Sequence, residues 1–155
     1  ISFYKAQRVL VDLFFDNYGV SWQASDNIML RMWKKFMLNC GINQACMIYG
    51  GTYGTAVVPG TDIYNTFVGS MQEVRRLAGY EGYIIGEEDV DYYIELMSTL
   101  NPDGMPSMAQ DRINHKKSEV ELFAGTVIRL ADKYGIDVPI NRRIYEEVKR
   151  IEEGL

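Results

Sequence analysis

A chain of 155 residues with 47% apolar and 24% charged side chains has an ordinary globular composition, long enough for one domain that buries roughly 70% of its unfolded surface. The net charge of −5 and the lack of a concentrated basic stripe argue against a nucleic-acid partner. No apolar run nears the roughly 20 residues of a membrane span, and no signal peptide opens the chain. Ile1 at the first position suggests a piece of a longer polypeptide. Cys40 and Cys46 fall on opposite sides of one predicted helix with no other cysteine to join, which predicts reduced thiols and a cytoplasmic setting.

In chain order, Phe3 to Asn17 place Val9, Leu10, Leu13 and Phe14 at helical spacing, with Gly19 as the terminating cap. Val20-Ser21-Trp22-Gln23-Ala24 reads as a short extended link. Asp26 is the expected N-cap of a long second helix that ends near Cys46. Within it, Lys35, Asn39 and Asn43 follow one another at steps of four. With Trp33 at zero, they fall at about 200°, 240° and 280° around the helix, across from Met29, Phe36, Met37 and Cys40. Met32, Leu38 and Ile42 share the far side, so the three polar residues form a narrow seam in a helix that is apolar nearly all round and central to the fold. Buried without partners, each would cost on the order of 1–3 kcal/mol. The plain alternative is that Lys35 snorkels to solvent while the amides bridge neighbouring helices.

The glycines of Tyr49-Gly50-Gly51-Thr52-Tyr53-Gly54 match neither G-x-G-x-x-G nor G-x-x-x-x-G-K, and no strand precedes them, so a turn is expected. Thr61 or Asp62 caps a third helix that ends at Gly79, and Tyr80 to Ile85 is a connection. Glu87, Glu88 and Asp89 suit the first turn of a fourth helix, a dipole-matched terminus rather than a metal site. Asn101 to Pro106 is a turn-rich link into a short helix in which Ser107 is N-cap or N1. Ser118 and Glu119 open a helix closed by Gly135. Asn141 caps a last one from about Arg142 to Glu152. Lys34 and the single histidine, His115, are expected in solvent. Seven helical segments without a strand pair or repeat predict one compact all-α domain.

Four segments in register carry a resemblance: W-K-K-F-M-L-N-C-G-I-N at 33–43, P-S-M-A-Q-D at 106–111, S-E-V-E-L-F-A-G at 118–125, and Tyr134-Gly135-Ile136 with P-I-N at 139–141. From about Gly19 to Ile151 the chain resembles the C-terminal half of ketopantoate reductase (2-dehydropantoate 2-reductase), a helical domain like those of 6-phosphogluconate dehydrogenase-like reductases. The resemblance implies reduction of 2-dehydropantoate to pantoate with NADPH, on the route to pantothenate and coenzyme A. NADP would be bound mainly by an N-terminal Rossmann domain absent from this chain, whose glycine-rich βαβ unit has no counterpart here. The fragment alone is then expected to be inactive, and homodimerisation follows from the resemblance only.

By position, the resemblance makes Lys35 and Glu119 catalytic, the lysine polarising the ketone and donating the proton while the glutamate orients lysine and substrate. Asn39, Asn43 and Ser107 become substrate-binding residues. No cofactor contact is assigned and no metal is expected. Each has a structural alternative: Ser107 as a helix cap, Glu119 as a first-turn carboxylate. Gln44 stands where the family often has proline, and Asn114-His115-Lys116-Lys117 replaces a loop commonly carrying glycine and arginine, so another 2-keto acid is a possible substrate. A non-catalytic helical interaction or dimerisation domain, with eleven tyrosines and eight methionines available for a partner surface, is the competing function.

Overall fold

The structure, a computed structural model, describes residues 3–21 and 25–154, with the backbone alone for residues 3–8. Among the described residues there are eight helices and no strand: α1 (Phe3–Asn17), α2 (Ile28–Tyr49), α3 (Tyr53–Ala56), α4 (Asp62–Tyr80), α5 (Glu87–Ser98), α6 (Ser107–Ile113), α7 (Ala124–Tyr134) and α8 (Pro139–Glu153). The all-α expectation holds, with one helix more than the seven expected. No helix of the described residues is long and apolar enough to cross a membrane.

The first helix ends as expected. Gly19 takes φ 64°, and the N–H groups of Gly19 and Val20 return to the carbonyls of Asp16 (3.2 Å) and Phe15 (3.0 Å). Its apolar row does not join the core, since Val9, Leu10, Leu13 and Phe14 are each more than half exposed. Of the expected link, Trp22, Gln23 and Ala24 lie outside the described residues. Asn27, not Asp26, caps α2: its Oδ1 accepts the Leu30 N–H at 3.0 Å, the reach a capping side chain needs for a helix that begins at Ile28. The helix continues past Cys46 to Tyr49, where Gly50 turns left-handed at φ 64°.

From Met37 to Met47 every residue of α2 except Asn39 is buried. Around it pack α3, α4, α6 and α8. α2 meets α4 closely at Gly41, where a Cβ would lie 2.7 Å from the Phe67 carbonyl oxygen and 2.7 Å from its ring. Backbone cannot swing aside as a side chain can, so the spacing of α2 and α4 requires a residue without a side chain here.

A buried polar network joins these helices to α8. Glu73 on α4 accepts the N–H of Ile140 (2.8 Å) and Asn141 (2.9 Å) and the Asn141 Nδ2 (2.7 Å). The carboxylate therefore caps α8, meeting unpaired amides and the positive end of the dipole together. This corrects the expected cap: Val138 is the N-cap, Pro139 is at N1, and Asn141 is a fully buried residue of the first turn. The Ser70 hydroxyl lies 3.0 Å from Asn141 Oδ1 and 3.1 Å from the Cys40 carbonyl, tying α2 into the same network.

The extra helix α3 follows the expected glycine turn. Thr52 and Thr55 form a capping box, Thr55 N donating to Thr52 Oγ1 at 3.3 Å and Thr52 N to Thr55 Oγ1 at 2.8 Å. At α4, Thr61 is the cap, accepting from Tyr64 N at 3.3 Å, and the helix runs one residue past Gly79. The α5 start at Glu87 is as expected.

Gly41→Ala is expected to lower stability by roughly 3 kcal/mol, read as a fall in the urea midpoint at constant slope. Cys40 and Cys46 are free and fully buried, and burial pushes the Cys46 thiol up to about 12 and Cys40 well above its usual range. Iodoacetamide at pH 8 is expected to spare both until urea unfolds the chain. Stability should fall as pH climbs above about 8.5, where unfolded thiols release protons that the folded chain retains.

Candidate functional site

Four-residue spacing brings Lys35, Asn39 and Asn43 down one side of α2, and their surroundings change along the row. Lys35 is exposed, Asn39 half-buried and Asn43 buried. Asn43 Oδ1 accepts a hydrogen bond from the Ser107 hydroxyl at 3.1 Å. Ser107 is thus the first residue of α6 and no cap; Pro106 occupies the N-cap position without a side-chain bond. What brings Ser107 there is the otherwise unexpected α3. Tyr53 N donates to the Gly104 carbonyl and Gly54 N to the Pro102 carbonyl, both at 2.9 Å, which pins the link before α6. Arg112 at the far end of α6 donates to the carbonyls of Met47 and Ile48 at 2.6 Å, closing α6 onto the C-terminal end of α2.

Glu119 does not stand in a helix. The expected helix from Ser118 begins instead at Ala124, and residues 119–123 form a turn in which the Glu119 carbonyl accepts Leu122 N (2.9 Å) and Phe123 N (3.1 Å). The cause is Gln44, fully buried on α2. Its Oε1 accepts the Ala124 N–H at 3.1 Å while its Nε2 donates to the Cys40 carbonyl at 2.6 Å. A side chain from another helix thereby satisfies the first turn of α7 and sets where it starts. Ser118 is held separately, its N–H and hydroxyl both bonded to Glu152 Oε1 (2.7 and 2.8 Å).

The structure therefore pairs Asn43 with Ser107 and leaves the other three apart. Among the described residues, the side chains of Lys35, Asn39 and Glu119 make no hydrogen bond or ion pair, whether with one another or with anything else. Lys34, expected in solvent, is instead half-buried with its Nζ 2.5 Å from Asp89 Oδ1. Asp89 Oδ2 also accepts the Gly86 N–H at 3.1 Å, so one carboxylate both starts α5 and fastens it to α2. Beside this pair opens a cavity of about 630 Å³ whose polar lining is Arg31, Lys34, Lys35, Asp89, Tyr92 and Tyr93. Arg31 was missed from the sequence although it stands four residues before Lys35, one more step of the same spacing. His115 is exposed at φ 52° after α6, in solvent as expected. Among the described residues no group of three or more His, Cys, Asp or Glu side chains is placed to hold a metal.

The family described as ketopantoate reductase PanE/ApbA C terminal matches residues 27–152. The 2-dehydropantoate 2-reductase of Salmonella typhimurium is 31% identical over 133 residues, 86% of this chain and 42% of that protein. A PanE/ApbA family ketopantoate reductase from Ralstonia eutropha has a structure with TM-score 0.82 at 31% identity, covering 94% of this chain and 48% of that one. A D-mandelate dehydrogenase with NADH and anilino(oxo)acetate shares the fold, with TM-score 0.83 at 22% identity over 99% of this chain and 64% of that one. This chain spans about half the length of the ketopantoate reductases it matches. Fold and matches together define a helical domain of the kind that forms the C-terminal half of ketopantoate reductases. The chain belongs to the ketopantoate reductase C-terminal domain family.

Replacing Gln44 by leucine tests the anchor behind Glu119. It leaves the buried Ala124 N–H without a partner, and a loss of roughly 1–3 kcal/mol in urea unfolding is expected, with near-native volume retained.

Proposed function

We infer that this chain is the substrate-closing half of an NADPH-dependent reductase that converts 2-dehydropantoate to pantoate, on the route to pantothenate and coenzyme A. The observation that carries the reading is the uneven use of polar side chains. Gln44, Ser70, Glu73 and Asn141 all have internal partners, whereas Lys35, Asn39 and Glu119 have none. A merely structural seam would pair its amides with neighbouring helices, as Asn43 pairs with Ser107, whereas Asn39 finds no such partner. Unpaired donors on one face of α2, one of them lining an open cavity, suit a ligand instead.

The dinucleotide would supply the hydride from a Rossmann half, since the described residues of this chain form no strand on which a βαβ unit could be built. The chemistry left to this chain is charge stabilisation and proton delivery. As the carbonyl carbon takes the hydride pair, negative charge grows on its oxygen. The Lys35 ammonium stabilises that charge and then gives up a proton to complete the alcohol. Its exposed position in this chain permits re-protonation from water. Asn39 and the Asn43–Ser107 pair would hold the remaining substrate oxygens, with the Ser107 hydroxyl free to turn from Asn43 to a carboxylate. Glu119 would orient the ammonium once the cleft closes.

Lys35→Ala in the intact polypeptide is expected to reduce turnover of 2-dehydropantoate by roughly 10²–10³-fold, the usual effect of removing a principal electrostatic stabiliser. Near-normal turnover would remove Lys35 from the mechanism and favour a non-catalytic interaction domain.

A further inference from the structure

Every other arginine whose side chain the structure describes makes a hydrogen bond or an ion pair; Arg31 makes neither. It is exposed on α2, four residues before Lys35 and hence one turn away on the same face. Both line the 630 Å³ cavity with Lys34, and the one carboxylate among the lining residues, Asp89, is already engaged by Lys34 at 2.5 Å. A chain of net charge −5 thus gathers three cations against one acid at a single opening and leaves two of them without a counter-ion. Like charges one turn apart on a helix repel. A bound anion would relieve that repulsion.

We propose that Arg31 is an oxyanion-binding residue of the ligand cleft, taking either the carboxylate of the 2-keto acid or a phosphate of the dinucleotide. The inference rests on the reading of the Lys35 face as that cleft. A guanidinium presents two parallel N–H donors at the spacing of two carboxylate or phosphate oxygens, which a second lysine would not. Helical side chains lean toward the helix N-terminus, so the Lys35 ammonium is carried toward Arg31 and away from Asn43. Asn39, Asn43 and Ser107 lie on the C-terminal side of the reacting centre, and Arg31 extends the binding row one turn to the other side. Tyr92 and Tyr93 of α5 line the same cavity.

The test uses the intact polypeptide and its Arg31→Gln variant, in which an exposed side chain is changed and the fold should be untouched. Dinucleotide affinity is measured by fluorescence titration of NADPH without substrate, and KM for 2-dehydropantoate by steady-state rates. One of the two should weaken roughly tenfold, the effect easing at high salt, with the loss falling on binding rather than on kcat. A weakened NADPH titration identifies a phosphate as the oxyanion; an unchanged titration with a raised keto-acid KM identifies the carboxylate. Both quantities staying within about twofold of the parent would overturn the proposal. Lys35→Ala, assayed alongside, separates the two failures. An inactive Lys35 variant beside an unaffected Arg31 variant removes only the role of Arg31. Full turnover in the Lys35 variant removes the cleft reading itself.

Discussion

The closeness of α2 to α4 at Gly41 is the constraint on which the remaining geometry depends. With no side chain between them, the Phe67 carbonyl and ring lie against the α2 backbone, and the two helices pack as one unit. Lys35, Asn39 and Asn43 are displayed from one member of that unit and Glu73 from the other. Separating the helices by a methyl group would move both the polar row and the cap of α8.

On this frame the polar side chains divide by what they serve. Those in the middle of the unit, Gln44, Ser70, Glu73 and Asn141, satisfy helix ends and one another in places closed to water, where an unpaired group would be costly. Arg31 and Lys35, toward the outer end of α2, meet solvent and are left open. The transition falls between Asn43, which is buried and bonded to Ser107, and Lys35, which is exposed. An internally satisfied scaffold beneath an unsatisfied rim is what a binding surface needs, since the scaffold fixes positions that the ligand then completes.

The period of four that groups Lys35, Asn39 and Asn43 was visible in the sequence because it depends only on helix geometry. Positions set by contacts between distant segments were not. The turn at Glu119 reads as a helix from its own residues, and only the reach of Gln44 across 80 positions shows why α7 begins at Ala124. Ser107 reads equally well as a cap, and its bond to Asn43 follows from the docking of α3 on the 101–106 link. Asn141 looks like an N-cap until a carboxylate from α4 performs that task instead. Arg31 had the right spacing but was overlooked, because a single exposed arginine gains meaning only when every neighbour's partner is known. The row of α1 shows the converse: periodicity identified the helix but not what its apolar side would meet.

The Glu73 carboxylate gives the last helix an importance its position does not suggest. Ile140 and Asn141 supply all three of its donors, so a cut that released α8 would strand an acid inside the protein with nothing to bind. The loss would reach back through Ser70 to the Cys40 carbonyl and thus to the middle of α2. Removing α8 as a whole would therefore not trim a tail; it would remove the keystone of the interior.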